Sequence, residues 1–228
     1  IRDQHVTGVQ TCALPISFWV LIAFGLLFRF AVLPSQQIQE DDVYRYLWDG
    51  KVFAHGINPF KFAPEEINQY QSIKVQNPAY FRSHYGKTDQ NELAVLNGLK
   101  WESDVALRYI ERINHPDVPT IYPPLAQYVF RFSQQINPDS LFTLRIMFLA
   151  FDLMGMVFII LALKALNLNQ NFSLVYFWSP LMIKETYNST HLDIIGISCL
   201  CASVYFLIRK RMVRSEEHTS ELQSRAYL

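Results

Sequence analysis

Residues 141–166 read LFTLRIMFLAFDLMGMVFIILALKAL, and this stretch decides the fold class. It is apolar almost throughout, and a helix of this length crosses a hydrocarbon core of about 30 Å with some tilt. The pair Asp139-Ser140 just before it supplies side-chain oxygens of the kind that cap a helix start. Two charged residues interrupt the run. Arg145 and Asp152 stand seven positions apart, hence on one helical face, and an ionisable group at such depth is costly unless it works or is paired. Asp152 is therefore read either as a functional carboxylate or as a buried hydrogen-bond acceptor for a helix beyond this chain.

Outward from this segment, three further apolar blocks occur. Residues 18–33, FWVLIAFGLLFRFAVL, are broken by Arg29 and stop at Pro34; residues 172–183 contain Pro180; residues 192–208 end in Arg209-Lys210-Arg211. The expected architecture is an all-α integral membrane protein with about four transmembrane helices, near 18–33, 141–166, 172–184 and 192–208. The third is expected as a kinked span. A long, partly helical loop, 34–139, joins the first two. Composition agrees, with 17 Phe, 12 Tyr and 4 Trp, while 20 acidic residues balance 20 basic ones and argue against a nucleic-acid partner. The basic cluster at 209–211 belongs in the cytoplasm by the positive-inside rule. Counting back places the 184–191 linker outside, 164–171 inside and the loop 34–139 outside, so the expected location is a cell membrane, crossed several times. Cys199 and Cys201, two apart in an apolar block, form neither a disulfide framework nor a zinc site and are read as small packing residues.

The two ends stand apart from the rest. One codon choice for residues 214–224, RSEEHTSELQS, has a reverse complement that translates in a shifted frame as TGVQTCALPI, which is residues 7–16. Both ends therefore encode one DNA segment on opposite strands, and that DNA resembles a sequencing-library adapter. Residues 1–16 and 214–228 are set aside on this ground, leaving 17–213 as a fragment of a longer protein.

The loop carries helical signals at 42–53, from Pro64, at 103–113 and from Pro123-Pro124 to Gln135, with turns at Gly56-Ile57-Asn58-Pro59 and Asn114-His115-Pro116. Its first polar stretch, EDDVYRYLWDG over 40–50, places adjacent carboxylates only a few residues beyond the first apolar block. Asp41 and Asp42 can be helix-capping and first-turn acids, worth about 0.3 to 1 kcal/mol. Equally, a carboxylate there can act as general base on an acceptor hydroxyl or hold a divalent metal ion against a leaving phosphate. Arg45 and Tyr46 crowd the same turns. Arg29, one turn before the first block ends, either snorkels to headgroups or meets a lipid phosphate. A second polar cluster, KETYNSTHLD over 184–193, offers Glu185, His191 and Asp193 for a sugar or a metal, against the plainer reading of a solvated linker. Its Asn-Ser-Thr triplet is read as coincidence.

Residues 40–64, EDDVYRYLWDGKVFAHGINPFKFAP, and 113–130, INHPDVPTIYPPLAQYVF, together resemble the start of bacterial multi-spanning membrane glycosyltransferases of the GT-C superfamily, in particular the polyprenol-phosphate-mannose-dependent mannosyltransferase-like group. RIMFLAFDL from Arg145 and WSPLMIKETYNSTHLDIIGI from Trp178 are similar to that group's next membrane segments. The resemblance covers nearly all of 17–213. It implies an enzyme of the bacterial inner membrane that takes a hexose, mannose among them, from a polyprenyl-phosphate donor to a lipid or glycan acceptor on the extracytoplasmic side. The family's catalytic acidic motif falls on Asp41 and Asp42, and its second-loop His-Asp element on His191 and Asp193. Arg29, Arg45, Tyr46, Tyr122 and Glu185 are the accompanying candidate substrate contacts. No cofactor is implied with certainty, and a divalent metal is the one candidate. The family usually has many more spans than are expected here. A secondary-transporter fragment is the competing class; it would show internal repeats and a midplane site, and only Asp152 favours it. A non-enzymatic membrane scaffold explains neither the acidic pair nor the long loop.

Overall fold

A computed structural model describes residues 17–38 and 41–226, and every regular element among them is helical. The adapter-like residues 1–16, and Glu40 of the acidic stretch, lie outside the described residues. The first apolar block is α1, Phe18–Val32. The loop then folds into α2 (Asp42–Ala54), α3 (Pro64–Gln76), α4 (Pro78–His84), α5 (Lys87–Lys100), α6 (Asp104–Arg112) and α7 (Pro124–Ile136). The second apolar block is α8, Leu141–Ala165.

Local chemistry sets these boundaries. Proline occupies the first turn of α3, α4 and α7, where its fixed φ fits a helix and its missing N–H would have no partner anyway. Ser103 and Ser140 cap α6 and α8, accepting from the amides of Ala106 and Thr143. Helix α5 had no clear sequence signal, burying only Leu93, Leu96 and Leu99 amid polar neighbours, whereas the Asn77-Pro78 start of α4 was a signal the sequence reading missed.

The third apolar block differs from expectation. In place of a kinked span over 172–184 there is a 3-10 turn (Gln170–Ser173), α9 (Leu174–Phe177), a break at Trp178-Ser179, α10 (Pro180–Ile183) and a π-helical turn (Lys184–Asn188). Pro180 is the cause. It has no amide proton to give and disfavours a helical residue before it, so Ser179 turns extended at ψ 115° and uses its hydroxyl to cap Met182 instead. The fourth block becomes α11, Asp193–Ala226, which runs well past 208 and on through 214–226. No proline or glycine follows Gly196 to stop it.

Helix α2 is shared by two cores. Trp48 and Val52 pack with Ile67, Phe81, Leu96 and Ile110 in the helical cap formed by α3 to α6. Val43, Tyr46 and Leu47 pack instead against Phe130 of α7, Leu144 and Phe148 of α8 and Ile194 of α11. Each large apolar side chain buried in this way contributes about 1.5–3 kcal/mol. Gly50 lets α2 and α7 approach: a Cβ there would stand 2.6 Å from the Phe130 carbonyl oxygen. The loop is thereby bolted to the start of α8.

Among the described residues α8 alone is long and apolar enough to cross a membrane, with α1 a shorter apolar helix beside it. Apolar side chains stand bare on the outer faces of both and of α11, including Trp19, Leu27, Val157, Phe206 and Leu207.

Candidate functional site

Two charged groups on α8 organise everything around them. Asp152 is 1% exposed and takes three donors: Arg29 Nε at 2.5 Å, and the hydroxyls of Tyr176 and Tyr187 at 2.6 Å each. Arg29 is itself fully buried. Its Nη1 donates to the carbonyls of Phe177 (2.7 Å) and Gly25 (3.0 Å), its Nη2 donates to Asp152 Oδ1 (3.4 Å), and its guanidinium lies 3.8 Å from the Phe177 ring centre. Arg29 is thus turned inward. It pairs inward because water-free surroundings make an unpaired charge far costlier than a paired one. The partner expected for Asp152 from a helix beyond the chain is supplied from within it.

Two turns earlier on the same face, Arg145 is 2% exposed and gives four of its five N–H donors to Leu33 O, Ser35 O, Asn188 O and Thr190 Oγ1, at 2.6–3.0 Å. No carboxylate answers it among the described residues. By holding both chains, Arg145 lays the 33–37 segment against 188–190. Asn188 Nδ2 strengthens that junction with bonds to Ser35 Oγ (2.9 Å) and Gln36 O (2.7 Å).

The acidic pair follows directly. Asp41 occupies the cap position of α2 but makes no capping hydrogen bond, and its side chain is exposed. The capping role considered for it is absent. Asp42, the first helical residue, is half-buried and likewise makes no side-chain hydrogen bond among the described residues. It faces two tyrosines. The Tyr46 hydroxyl meets Tyr122, Asp42 and the main chain at Leu192; the two rings lie edge to face at 4.9 Å, and Phe130 stacks on Tyr46 at 4.8 Å. Burial first, then Tyr122 and the Asp42 carboxylate, hold the Tyr46 hydroxyl well above its ordinary value. Burial, then Asp42, push Tyr122 up to about 12. Both stay neutral donors at physiological pH.

Arg45 is corrected in the same way as Arg29. It is 6% exposed, with Nε bonded to Asp49 Oδ1 at 3.0 Å and Nη2 to Val118 O at 2.8 Å. Burial pushes the Asp49 carboxyl up, against the pull of Arg45 and the hydrogen bonds it shares with Thr120 and Gln127. The pair pins α2 to the 118–120 segment.

The second polar cluster is partly assembled. Glu185 holds Lys184 at 2.8 Å and His191 Nε2 at 3.3 Å, while the His191 amide donates to the Glu185 carbonyl. Asp193 is exposed in the first turn of α11. Leu192 of this segment packs in the same apolar cluster as Tyr46 and Tyr122. No group of three or more His, Cys, Asp or Glu side chains converges among the described residues. Unforeseen in the sequence were the hub role of Arg145 and the tyrosines on Asp152. Their residue types alone carried no such signal.

Beside the acidic pair lies a cavity of about 580 Å³, walled by the 33–37 segment, α2, α6 and the start of α8. A second hollow of about 760 Å³ opens between α1 and α10, lined mostly by apolar side chains such as Phe28, Trp178 and Ile183. Compared with protein-family models, characterised proteins and solved structures, the chain matches none.

Proposed function

We propose that this chain is the N-terminal part of a membrane glycosyltransferase. In this reading α8 spans the bilayer, α1 and the apolar part of α11 lie beside it with their bare faces in lipid, and the helical cap sits outside the cytoplasm. A hexose, mannose or a relative, passes from a polyprenyl-phosphate donor to a lipid or glycan acceptor. The observation that carries this is Asp42: a carboxylate without a bonding partner among the described residues, next to two neutral tyrosine hydroxyls, a few residues beyond an apolar helix.

Asp42 accepts the proton of the acceptor hydroxyl as its oxygen attacks the anomeric carbon; the bond from that carbon to the phosphate oxygen breaks, and the lipid phosphate leaves with the electron pair. Attack opposite the leaving group inverts the anomeric centre. Tyr46 and Tyr122 hold sugar or acceptor oxygens by donating hydrogen bonds, and Glu185, His191 and Asp193 flank the same region. Asp41, exposed and unbonded, is the alternate base.

The transporter reading rested on Asp152, and that residue is accounted for by Arg29, Tyr176 and Tyr187. Vesicles containing the uninterrupted protein separate the two: transfer from a lipid-linked sugar is expected, and uptake of free solute without transfer would overturn the proposal. Separate Asp41→Asn and Asp42→Asn variants locate the base, and full transfer in both would remove the carboxylate mechanism.

A further inference from the structure

Helix α7 is inside out for a helix in water. Its polar side chains Gln127, Ser133 and Gln134 are buried, while Leu125, Tyr128, Phe132 and Ile136 stand 50–59% exposed. Those four recur at spacings of three, four and four, hence along one stripe of the helix. Ile121, just ahead of the helix, is also exposed, and Phe60 stands bare beside a hollow of about 290 Å³ that it lines together with Tyr128. Hydrogen bonds fix this rotation. Gln127 Nε2 donates to Asp49 Oδ2 (3.0 Å) and Thr120 Oγ1 (2.9 Å); Gln134 donates to the Leu47 carbonyl (3.1 Å) and accepts from the Asp139 amide (2.9 Å). The close approach of Phe130 to Gly50 holds the same face against α2. The apolar stripe is therefore turned outward by the fold, and a bare surface of this kind marks a place where something other than water is met.

Its neighbourhood says what that is. Only residues 137–140 separate Ile136 from the start of α8, whose first turn presents another bare aromatic side chain, Phe142. Helix α7 thus ends at the level where α8 begins its apolar run. It contains no acidic residue and one basic one, Arg131, so nothing in it repels anionic headgroups. A helix with aliphatic and aromatic side chains along one face settles into the boundary between headgroups and acyl chains. We propose that α7 is an interfacial helix whose Leu125–Tyr128–Phe132–Ile136 stripe lies in the bilayer surface at which α8 begins. The inference rests on the reading of α8 as a membrane span. Because Gln127 and Gln134 tie α7 to α2, the same anchor sets the height of α2 over the lipid.

The test uses the full chain with Cys12→Ser, Cys199→Ser and Cys201→Ser, in vesicles of phosphatidylethanolamine and phosphatidylglycerol. One nitroxide at a time is attached at Leu125→Cys, Phe132→Cys or Ile136→Cys, all exposed positions that a label can occupy without disturbing the core. Asn91→Cys on α5 is the aqueous reference and Val157→Cys on α8 the membrane reference. Electron paramagnetic resonance compares collisions with dissolved oxygen, which concentrates in lipid, and with a water-soluble nickel chelate. The ratio of oxygen to nickel collisions at the three α7 labels is expected to exceed that at Asn91 several-fold, at a depth of about 5–10 Å. Nickel collisions as frequent as at Asn91 overturn the inference. So do low collisions with both reagents, which mean that protein covers the stripe; spin–spin broadening lost on dilution with unlabelled chain identifies that protein as a second copy. Wet α7 labels beside a lipid-exposed Val157 defeat this inference alone, whereas wet labels on both helices defeat the membrane reading with it.

Discussion

Two carboxylates in this molecule each face a pair of tyrosines, and they differ in everything else. Asp152 is buried on α8, takes hydrogen bonds from Tyr176 and Tyr187, and is neutralised by Arg29. Asp42 stands half-buried at the start of α2, faces Tyr46 and Tyr122, and has no cation and no hydrogen bond among the described residues. The same residue types make a saturated, buried cluster in one place and leave a half-buried carboxylate without a hydrogen bond among the described residues in the other. What separates them is the guanidinium and the depth of burial: a saturated carboxylate has no lone pair to offer a substrate, while an unsaturated one at a water-accessible edge does.

The contrast can be broken at either end. The largest expected effect is on activity: Asp42→Asn should lower sugar transfer by roughly 10² to 10⁴-fold, the usual worth of a general base, with little change in melting temperature. An equal loss of stability would make Asp42 a second clamp. Next comes the clamp itself. Arg29→Ala strands the Asp152 charge in an apolar site and should cost about 3–5 kcal/mol in reversible unfolding, whereas Arg29→Met with Asp152→Leu should recover most of it. If the double change is as damaging as the single one, the network does more than neutralise charge.

A smaller effect tests whether Asp42 and Tyr122 sense one another. Tyr122 titrates at about 12 in the folded protein against an ordinary value near 10, so its neutral form is favoured by folding. Its contribution to stability is complete below about pH 10 and is lost as pH rises through about 12. Near-ultraviolet absorbance, differenced against Tyr122→Phe, should show the midpoint falling toward the ordinary value in Asp42→Asn, because one of the two leading causes is gone. The smallest effect is at Asp41. A working cap would cost about 1 kcal/mol on replacement; with no capping bond, Asp41→Ala should change unfolding by less than about 0.5 kcal/mol.

Much of the helical framework was legible. The starts of α2, α3, α6 and α7 follow from their prolines, acids and capping residues, and Ser140 caps α8 as its position suggested. Those signals act over three or four residues and need no distant partner. The block around Pro180 was harder, since a proline can bend a helix or end it, and only the packing of Phe177 over Gly25 and of Tyr187 on Asp152 selects the broken form. Within the candidate site, Asp42, Tyr46 and Tyr122 were among the residues singled out and are brought together. Arg29 and Arg45 were singled out too, and are turned inward.

From its order of residues alone, this chain determined a helical framework with one long apolar helix, and the position of two acids just beyond another, because hydropathy, capping and proline geometry are local. Which charges are buried against a partner and which stay exposed was decided by tertiary structure. The energy of a buried charge depends on what stands within a few ångströms of it, and Arg29 meets Asp152 across 123 positions of sequence. Nothing in the neighbourhood of either residue announces the other.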